Sequence, residues 1–543
     1  MNTSELLLLA ARAGVTFWLD DNRLAYRAPK GRMTDELRGE IILHKTDLIA
    51  MLQRNRLDAA YPIAQAPLSE ENKGPLASGQ ERLWLIERSI GASPLYNLHF
   101  RLLWKGVLDR RMLALSIRNI VARHAAMRTT FTEFDGTPQA IVSPDAAVEL
   151  AHLDLRDHSP DAKARTADSF ILDHQRTPFD LERGPLMRTA VITLADDDHI
   201  LLVTQHHIIT DGWSLRIFLT ELGQGYRARY LGQHASLPEP PLRYSDYARW
   251  EHEWRGEQVY QERLAWWKEH LAGLSPLVLR RPQHMQPGAH DYSGAVHEFS
   301  ISVALASQLK DLAREQHCTL YTVLLTAWAV LLHRHANQYD FAVGTVTSGR
   351  DRMEFQKLIG FFANTMVLRC DLSGNPSVVE AIARLRVETQ SVFEREVPFA
   401  DIVMAAGAVR DASLTPLIQA AFMFPNLPIP EFLSPEDASR IGASVMLDAR
   451  IDGSVEGTTK FDLSLTVQDS NDGISCYLEY AKAQFTASTV QRLGEHFLIL
   501  LQSIVRNPHE TIGRLRLISR QEQRRLLVEW SYPPSPNIRA GGK

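Results

Sequence analysis

The chain has 543 residues, more than one ordinary hydrophobic core accommodates, so length alone predicts two to four domains. Hydrophobic residues make up 45% of it and charged residues 23%, the balance of a soluble globular protein. A net charge of −5 without a basic tract speaks against nucleic-acid binding, and the apolar run Leu6 to Ala11 is far shorter than the ~20 residues of a membrane span.

In chain order, Ser4 to Ala13 is a short helical run without the basic region and cleavage site of a signal peptide. Val15 to Leu19 and Arg23 to Arg27 are strand-like, with Asp20-Asp21-Asn22 turning between them. Thr34-Asp35-Glu36 opens a helix, and Lys45 to Leu52 is a further amphipathic stretch. These segments form a small unit over residues 1–60. Tyr61 to Gly74, with two prolines, charges and little periodicity, is a linker over 61–74.

Beyond it, helical patterns (Asp109 to His124, Gln308 to His335) alternate with strand-like runs (Ile200 to Gln205, Asp340 to Thr345), which predicts an α/β fold. Arg520 to Trp530 is helical, and the Pro- and Gly-rich tail 531–543 is expected to be disordered. The three cysteines, Cys318, Cys370 and Cys476, are isolated from one another, as reduced core residues of a cytoplasmic protein are.

Thr204-Gln205-His206-His207-Ile208-Ile209-Thr210-Asp211-Gly212-Trp213-Ser214 concentrates the chemistry. His199 to Gln205 reads as a buried strand, Asp211-Gly212 as a turn, and from Trp213 onward Leu215, Phe218, Leu219 and Leu222 recur at helical spacing. The histidines therefore sit where a strand gives out into a loop, a common seat of catalytic groups. Side chains alternate along an extended backbone, so His206 and His207 point to opposite sides, one toward a substrate and one toward the protein. Neighbouring histidines on opposite faces chelate poorly, and no Cys or Glu/His cluster lies nearby, so no metal is expected.

HHIITDG resembles the HHxxxDG signature of condensation domains from nonribosomal peptide synthetases and their chloramphenicol acetyltransferase-like relatives. Further blocks resemble that family in its own order: Pro75 to Phe100, Arg123 to Phe131 (RHAAMRTTF), Pro178 to Arg188, Tyr244 to Trp250, Ile359 to Arg369 and Arg410 to Asn426. Arg395-Glu396-Val397-Pro398-Phe399 departs from the family's His-Gln-Asp-like run before Pro-Phe. The first unit, with its run Tyr26 to Gly31, resembles the N-terminal docking domains of synthetase subunits such as tubulysin's.

The resemblance implies two acetyltransferase-like lobes, 75–250 and 251–530, forming a V around a central tunnel, with a C-terminal linker at 531–543. It implies no cofactor bound by this chain: substrates arrive on the phosphopantetheine of donor and acceptor carrier-protein domains. Implied partners are the C-terminal docking segment of an upstream subunit, which adds as a strand to the hairpin edge, and an adenylation domain downstream.

The implied reaction is amide formation between a carrier-bound acyl or peptidyl thioester and the α-amine of a carrier-bound aminoacyl thioester. His207 is the expected hydrogen-bond partner of that amine, and His206 is structural. Family precedent pairs Asp211 with an arginine, matched here to Arg128, to fix the loop. Gly212 gives the pantetheine room to approach the backbone or simply makes the turn. Ser214 and Asn364 either face the tunnel or bond to local backbone, and Trp213 is expected to pack.

Among relatives, the His206-His207 pair excludes heterocyclisation domains, which carry aspartates there, and Trp213-Ser214 after Gly212 fits condensation better than epimerisation. A starter domain using a fatty acyl donor and a degenerate recruitment platform stand as alternatives.

Overall fold

A computed structural model describes residues 6, 10, 15–20, 23–29, 32–45, 48–49, 63 and 73–528, except for 145–147, 234–236, 280–291, 408–415, 426–431, 449–456 and the single positions 238, 241, 351 and 471. The linker 61–74 apart from residues 63, 73 and 74, the tail 531–543, most of Ser4 to Ala13, and residues 410–415 and 426 of the block Arg410 to Asn426 thus fall outside the described residues.

The N-terminal unit pairs Thr16–Asp20 with Arg23–Arg27 in antiparallel register, Asp20 opposite Arg23, and follows them with the helix Asp35–Leu43. Thr34 caps that helix by accepting from the backbone N–H of Leu37. Leu6, Ala10, Val15, Leu37, Ile41 and Leu48 form its own small core.

Two larger sheets follow. The first has the order Ser444–Asp448, Asn97–Lys105, Asp198–His206, Met187–Ala195, Leu150–Asp154, and the second the order Gly294–Ile301, Gly473–Ala481, Leu463–Ser470, Ala420–Met423, Asp340–Thr347, Asn364–Asp371. Both mix parallel and antiparallel pairs, which confirms the α/β class. A three-stranded sheet, Lys73–Pro75, Thr137–Val142, Thr129–Phe134, flanks the first lobe.

Each lobe has a core of its own. In the second, the helix Leu320–Ala336 is apolar on all sides and buried from Thr322 to His333, as a core helix must be. The single helix expected over Gln308 to His335 is in fact two, Val303–Glu315 and Leu320–Ala336. His317 adopts φ +50 between them and the Thr319 side chain caps the second, a break that apolar periodicity alone does not register.

The second half of the chain enters the first lobe at several places. Ile359 and Phe361 join the first core, as do Phe432, Leu433, Ile441 and Ala443, and Ser444–Asp448 pairs antiparallel with Asn97–Lys105. A partition at residue 250 does not capture this crossing. Gly223, inside the helix Gly212–Tyr230, is fitted to it: a Cβ there would stand 2.0 Å from the Phe432 carbonyl oxygen.

Candidate active site

The strand Asp198–His206 ends on the histidine pair, and one 3₁₀ turn, His207–Ile209, leads to the helix Gly212–Tyr230. His206 closes the strand opposite Asn97 and is buried at 1% exposure. Its Nδ1 accepts from the backbone N–H of Ile208 at 3.2 Å, which leaves Nε2 to donate toward Glu87 Oε1 at 3.4 Å. The rings of Tyr96 and Phe179 flank it. Burial pushes its pKa down against the opposing pull of Glu87.

His207 lies on the other side, half-buried, with its ring edge-on to Phe361 at 4.7 Å. Its backbone N–H donates to the Tyr96 carbonyl at 2.7 Å. Nδ1 lies 2.8 Å from the Thr210 carbonyl oxygen, an acceptor only, so Nδ1 carries the proton and the lone pair sits on Nε2. Burial first, and the positive charge of Lys460 second, push its pKa down to about 3. The shift favours the neutral ring, with Nε2 as its hydrogen-bond acceptor.

Asp211 is held rather than available. It caps the helix by accepting from Ser214 N–H at 2.7 Å, and Oδ2 accepts from Phe362 N–H at 2.9 Å. Both carboxylate oxygens receive Nη2 of Arg350, at 3.1 and 3.2 Å. The partner expected from the family block, Arg128, is engaged elsewhere: its guanidinium donates to the carbonyls of Val121 (3.1 Å) and Ser143, tying the end of the helix Arg110–Arg123 to the hairpin that follows. The arginine that fixes the loop is therefore Arg350. It also donates to the carbonyls of Phe355 (2.6 Å) and Leu358 (2.7 Å) and lies over the ring of Phe362.

Ser214 corrects a second expectation, because it neither faces a tunnel nor bonds locally. Fully buried, its Oγ donates to the Gly360 carbonyl at 2.8 Å and accepts from Arg350 Nη2 at 2.7 Å and Gly360 N–H at 3.0 Å. Asn364 is likewise occupied. Its side chain donates to the Val397 carbonyl at 2.9 Å and to Glu396 Oε1 at 3.2 Å, and accepts from Phe399 N–H at 3.1 Å. It thereby anchors the Arg395–Phe399 block that departs from the family pattern.

Trp213 packs, with Nε1–H donating to the Gln356 carbonyl at 3.0 Å. Gly212 is the first residue of its helix and is exposed, whereas Asp211, Trp213 and Ser214 around it are buried. It does not adopt a positive φ.

Arg350 is the residue sequence reasoning missed. Ser348-Gly349-Arg350, a glycine-bearing turn just after an apolar strand, is the available signal, but nothing in spacing connects it to a loop 139 residues earlier. Among the described residues no group of histidine, cysteine or carboxylate side chains is arranged to hold a metal, and no helix is long and apolar enough to cross a membrane. The three cysteines are buried thiols.

Two α/β lobes thus meet at a histidine loop, the class of architecture to which comparison with known proteins assigns a family. The Condensation domain family matches residues 70–527, and the TubC N-terminal docking domain family matches residues 4–54. The chain belongs to the condensation domains of nonribosomal peptide synthetases, with a docking domain in front.

It is 33% identical over 466 residues to the chondramide synthase cmdD of Chondromyces crocatus, covering 86% of this chain and 12% of that protein. With phosphinothricin tripeptide synthetase PhsB of Streptomyces viridochromogenes it shares 33% over 476 residues, 87% of this chain and 39% of that protein. The chain thus spans only a small part of these curated relatives. Among solved structures, the X-domain from teicoplanin biosynthesis superposes with a TM-score of 0.72 at 23% identity, covering 84% of this chain and 100% of the other. The first condensation domain of the CDA synthetase gives 0.65 at 19%, covering 83% and 100%.

Proposed function

We propose that this chain joins a donor acyl or peptidyl thioester to the α-amine of an aminoacyl thioester, both presented on the phosphopantetheine arms of carrier proteins. In that reaction the amine nitrogen bonds to the thioester carbonyl carbon, the C–S bond breaks, and the thiol leaves with the proton the amine gives up. The observation that carries the reading is the geometry of His207, at the end of its strand, with Nδ1 tied to the Thr210 carbonyl at 2.8 Å so that the lone pair sits on Nε2.

Such a ring aligns an amine and is poor at stripping an ammonium. An α-ammonium has a pKa near ~8, so transfer of its proton to an imidazole of pKa about 3 is uphill by roughly 10⁵ in equilibrium constant. A neutral amine needs no such transfer before attack. His207 Nε2 accepts one N–H, turns the nitrogen lone pair toward the thioester, and takes part in proton loss only after the tetrahedral intermediate has formed. Alignment of tethered reactants is worth effective molarities of ~10⁵–10⁸ M, against ~10²–10⁴ for acid–base help, so positioning dominates. Arg350, Asp211 and Ser214 hold the loop across the two lobes, and the bare backbone at Gly212 leaves room for a pantetheine arm.

The docking unit favours elongation over initiation, with the tail of an upstream subunit adding as a strand to the Thr16–Asp20 and Arg23–Arg27 hairpin. An adenylation domain downstream and a cytoplasmic location complete this reading. The teicoplanin X-domain has been solved in complex with OxyB, which makes recruitment a second reading for this fold. The loop held by the Asp211–Arg350 pair, with His207 presented from it, favours catalysis.

The test is a single-turnover reaction with carriers loaded with N-acetyl-aminoacyl or fatty acyl donors and a panel of aminoacyl acceptors, read by mass spectrometry. Amide from the peptidyl-type donors supports elongation, and amide from fatty acyl donors alone supports initiation. No amide from any pair, alongside tight binding of a tailoring enzyme, supports recruitment.

A further inference from the structure

The helix Ser78–Ile90 meets the histidine loop through two buried polar side chains, Gln80 and Glu87, set about two turns apart and so on one face. Gln80 is spent at both ends of its amide. Its Oε1 accepts from Ala77 N–H at 3.2 Å, and its Nε2 donates to the Ile208 carbonyl at 3.0 Å. Glu87 Oε1 accepts from His206 Nε2 at 3.4 Å. Ile208 and His206 are the two chain neighbours of His207, so the helix holds the residue on each side of it.

The first turn of the same helix reaches His207 by a second route. A Cβ on Gly79 would stand 3.0 Å from Phe361 Cε1, tighter than ordinary contact, and the Phe361 ring meets His207 edge-on at 4.7 Å. The missing side chain at Gly79 therefore lets the helix approach the ring that packs on the imidazole. The helix is itself anchored. Ser78 N–H donates to Glu251 Oε2 at 2.6 Å, Tyr247 donates to the other oxygen of that carboxylate at 2.9 Å, and the Arg82 guanidinium lies 5.4 Å from the ring centroid of Phe399 in the second lobe's core.

We propose that Gln80 and Glu87 are positioning residues for the amide-forming reaction, and that the helix Ser78–Ile90 is the template against which the His207 imidazole is placed. The inference rests on the amide-forming reading above. The pair of Asp211 and Arg350 acts beyond the turn His207–Ile209, at the start of the following helix, whereas Gln80 and Glu87 act on the turn and on the strand end that enters it. Where alignment supplies most of the rate, a displacement of about 1 Å in the aligning group costs ~10²-fold.

The experiment measures single-turnover rates against acceptor concentration for Gln80→Glu, Glu87→Met and Glu87→Gln, each made in the wild type and in His207→Ala. Donors are N-acetyl-aminoacyl pantetheine thioesters and acceptors are a panel of aminoacyl pantetheine thioesters. Gln80→Glu keeps the acceptor for Ala77 N–H and turns an oxygen toward the Ile208 carbonyl. Glu87→Met removes the acceptor for His206, and Glu87→Gln retains one. Gln80→Glu and Glu87→Met are expected to lower the saturated rate by ~10–10²-fold while the half-saturating acceptor concentration stays within about twofold, and Glu87→Gln to lose less. In the His207→Ala background neither should lower the residual rate further, because both act through the imidazole. If Glu87→Met melts low, Glu87→Asp takes its place, keeping the charge but drawing the carboxylate back from His206.

An unchanged saturated rate in both Gln80→Glu and Glu87→Met, or the same proportional loss with and without His207, overturns the proposal. Failure of the wild type with every acceptor overturns the amide-forming reading itself, and this inference with it.

Discussion

Arg350 and Asp211 meet across the two lobes, the guanidinium Nη2 at 3.1 and 3.2 Å from the carboxylate oxygens, with both side chains essentially without exposed surface. Every acceptor position of Asp211 is taken, by Arg350, Ser214 N–H and Phe362 N–H. The pair is thus a clasp: one end starts the helix behind the histidine loop, the other gathers the turn at 353–360.

Breaking one partner of such a buried pair leaves the other charge uncompensated, which typically costs ~3–5 kcal/mol. Asp211→Ala and Arg350→Ala are therefore expected to lower the urea midpoint markedly and to yield poorly folded protein. Arg128→Ala should leave Asp211 paired. A soluble, normally melting Asp211→Ala with a purely kinetic defect would contradict the clasp.

Gly360 packs against Tyr244, where a Cβ would fall 1.8 Å from Tyr244 Cδ2. Gly360→Ala must displace the ring or the turn, and with it the two Ser214 bonds and the hydrogen bond from Tyr244 to the Phe361 carbonyl. It is expected to destabilise the wild type strongly and to cost less in a Tyr244→Ala background, as a double-mutant cycle measures. Additivity would show that the two do not meet.

Four histidines, His206 buried and His174, His207 and His335 half-buried, have folded-state pKa values below the ordinary 6.5: His174 and His335 at about 4, His207 at about 3, and His206 in the same direction, burial being the first cause in each. The fold favours their neutral forms, so the unfolded chain binds more protons below pH 6.5. Stability is complete above that pH and is lost as pH falls toward about 4, by ~1.4 kcal/mol per pH unit for each histidine in that window. His174→Gln and His335→Gln should each flatten the slope of unfolding free energy against pH. A slope unchanged in both would show that these groups titrate normally.

His206→Ala removes a buried ring that bonds Glu87 and Ile208 N–H, and is expected to reduce stability first and activity as a consequence. His206→Gln, which retains an acceptor and a donor, should recover part of the melting temperature. Full stability in His206→Ala would refute its structural role.

What the sequence disclosed about the site followed from short-range rules. Strand alternation separates His206 from His207, and the Asp211-Gly212 turn marks the helix start to within a residue. What it withheld was long-range. Arg128 and Arg350 are both arginines after core elements, and only the second is carried to the loop by the fold. Local rules leave Ser214 and Asn364 tunnel-facing or locally bonded, whereas their side chains spend their hydrogen bonds on segments 146 and about 33 residues away. The strand Ser444–Asp448 crosses to the first sheet for the same reason: pairing partners are chosen by topology, which no local window contains.

The most direct measurement is single-turnover amide formation by His207→Ala with both carriers loaded, beside a melting curve of the same protein. His207 spends one hydrogen bond on the Thr210 carbonyl and offers its other nitrogen outward, so the variant should fold and melt close to the wild type. Its amide formation should fall by at least the ~10²-fold that a positioned hydrogen-bonding group supplies. Unchanged product formation by a folded His207→Ala would remove the imidazole from the mechanism and contradict the account.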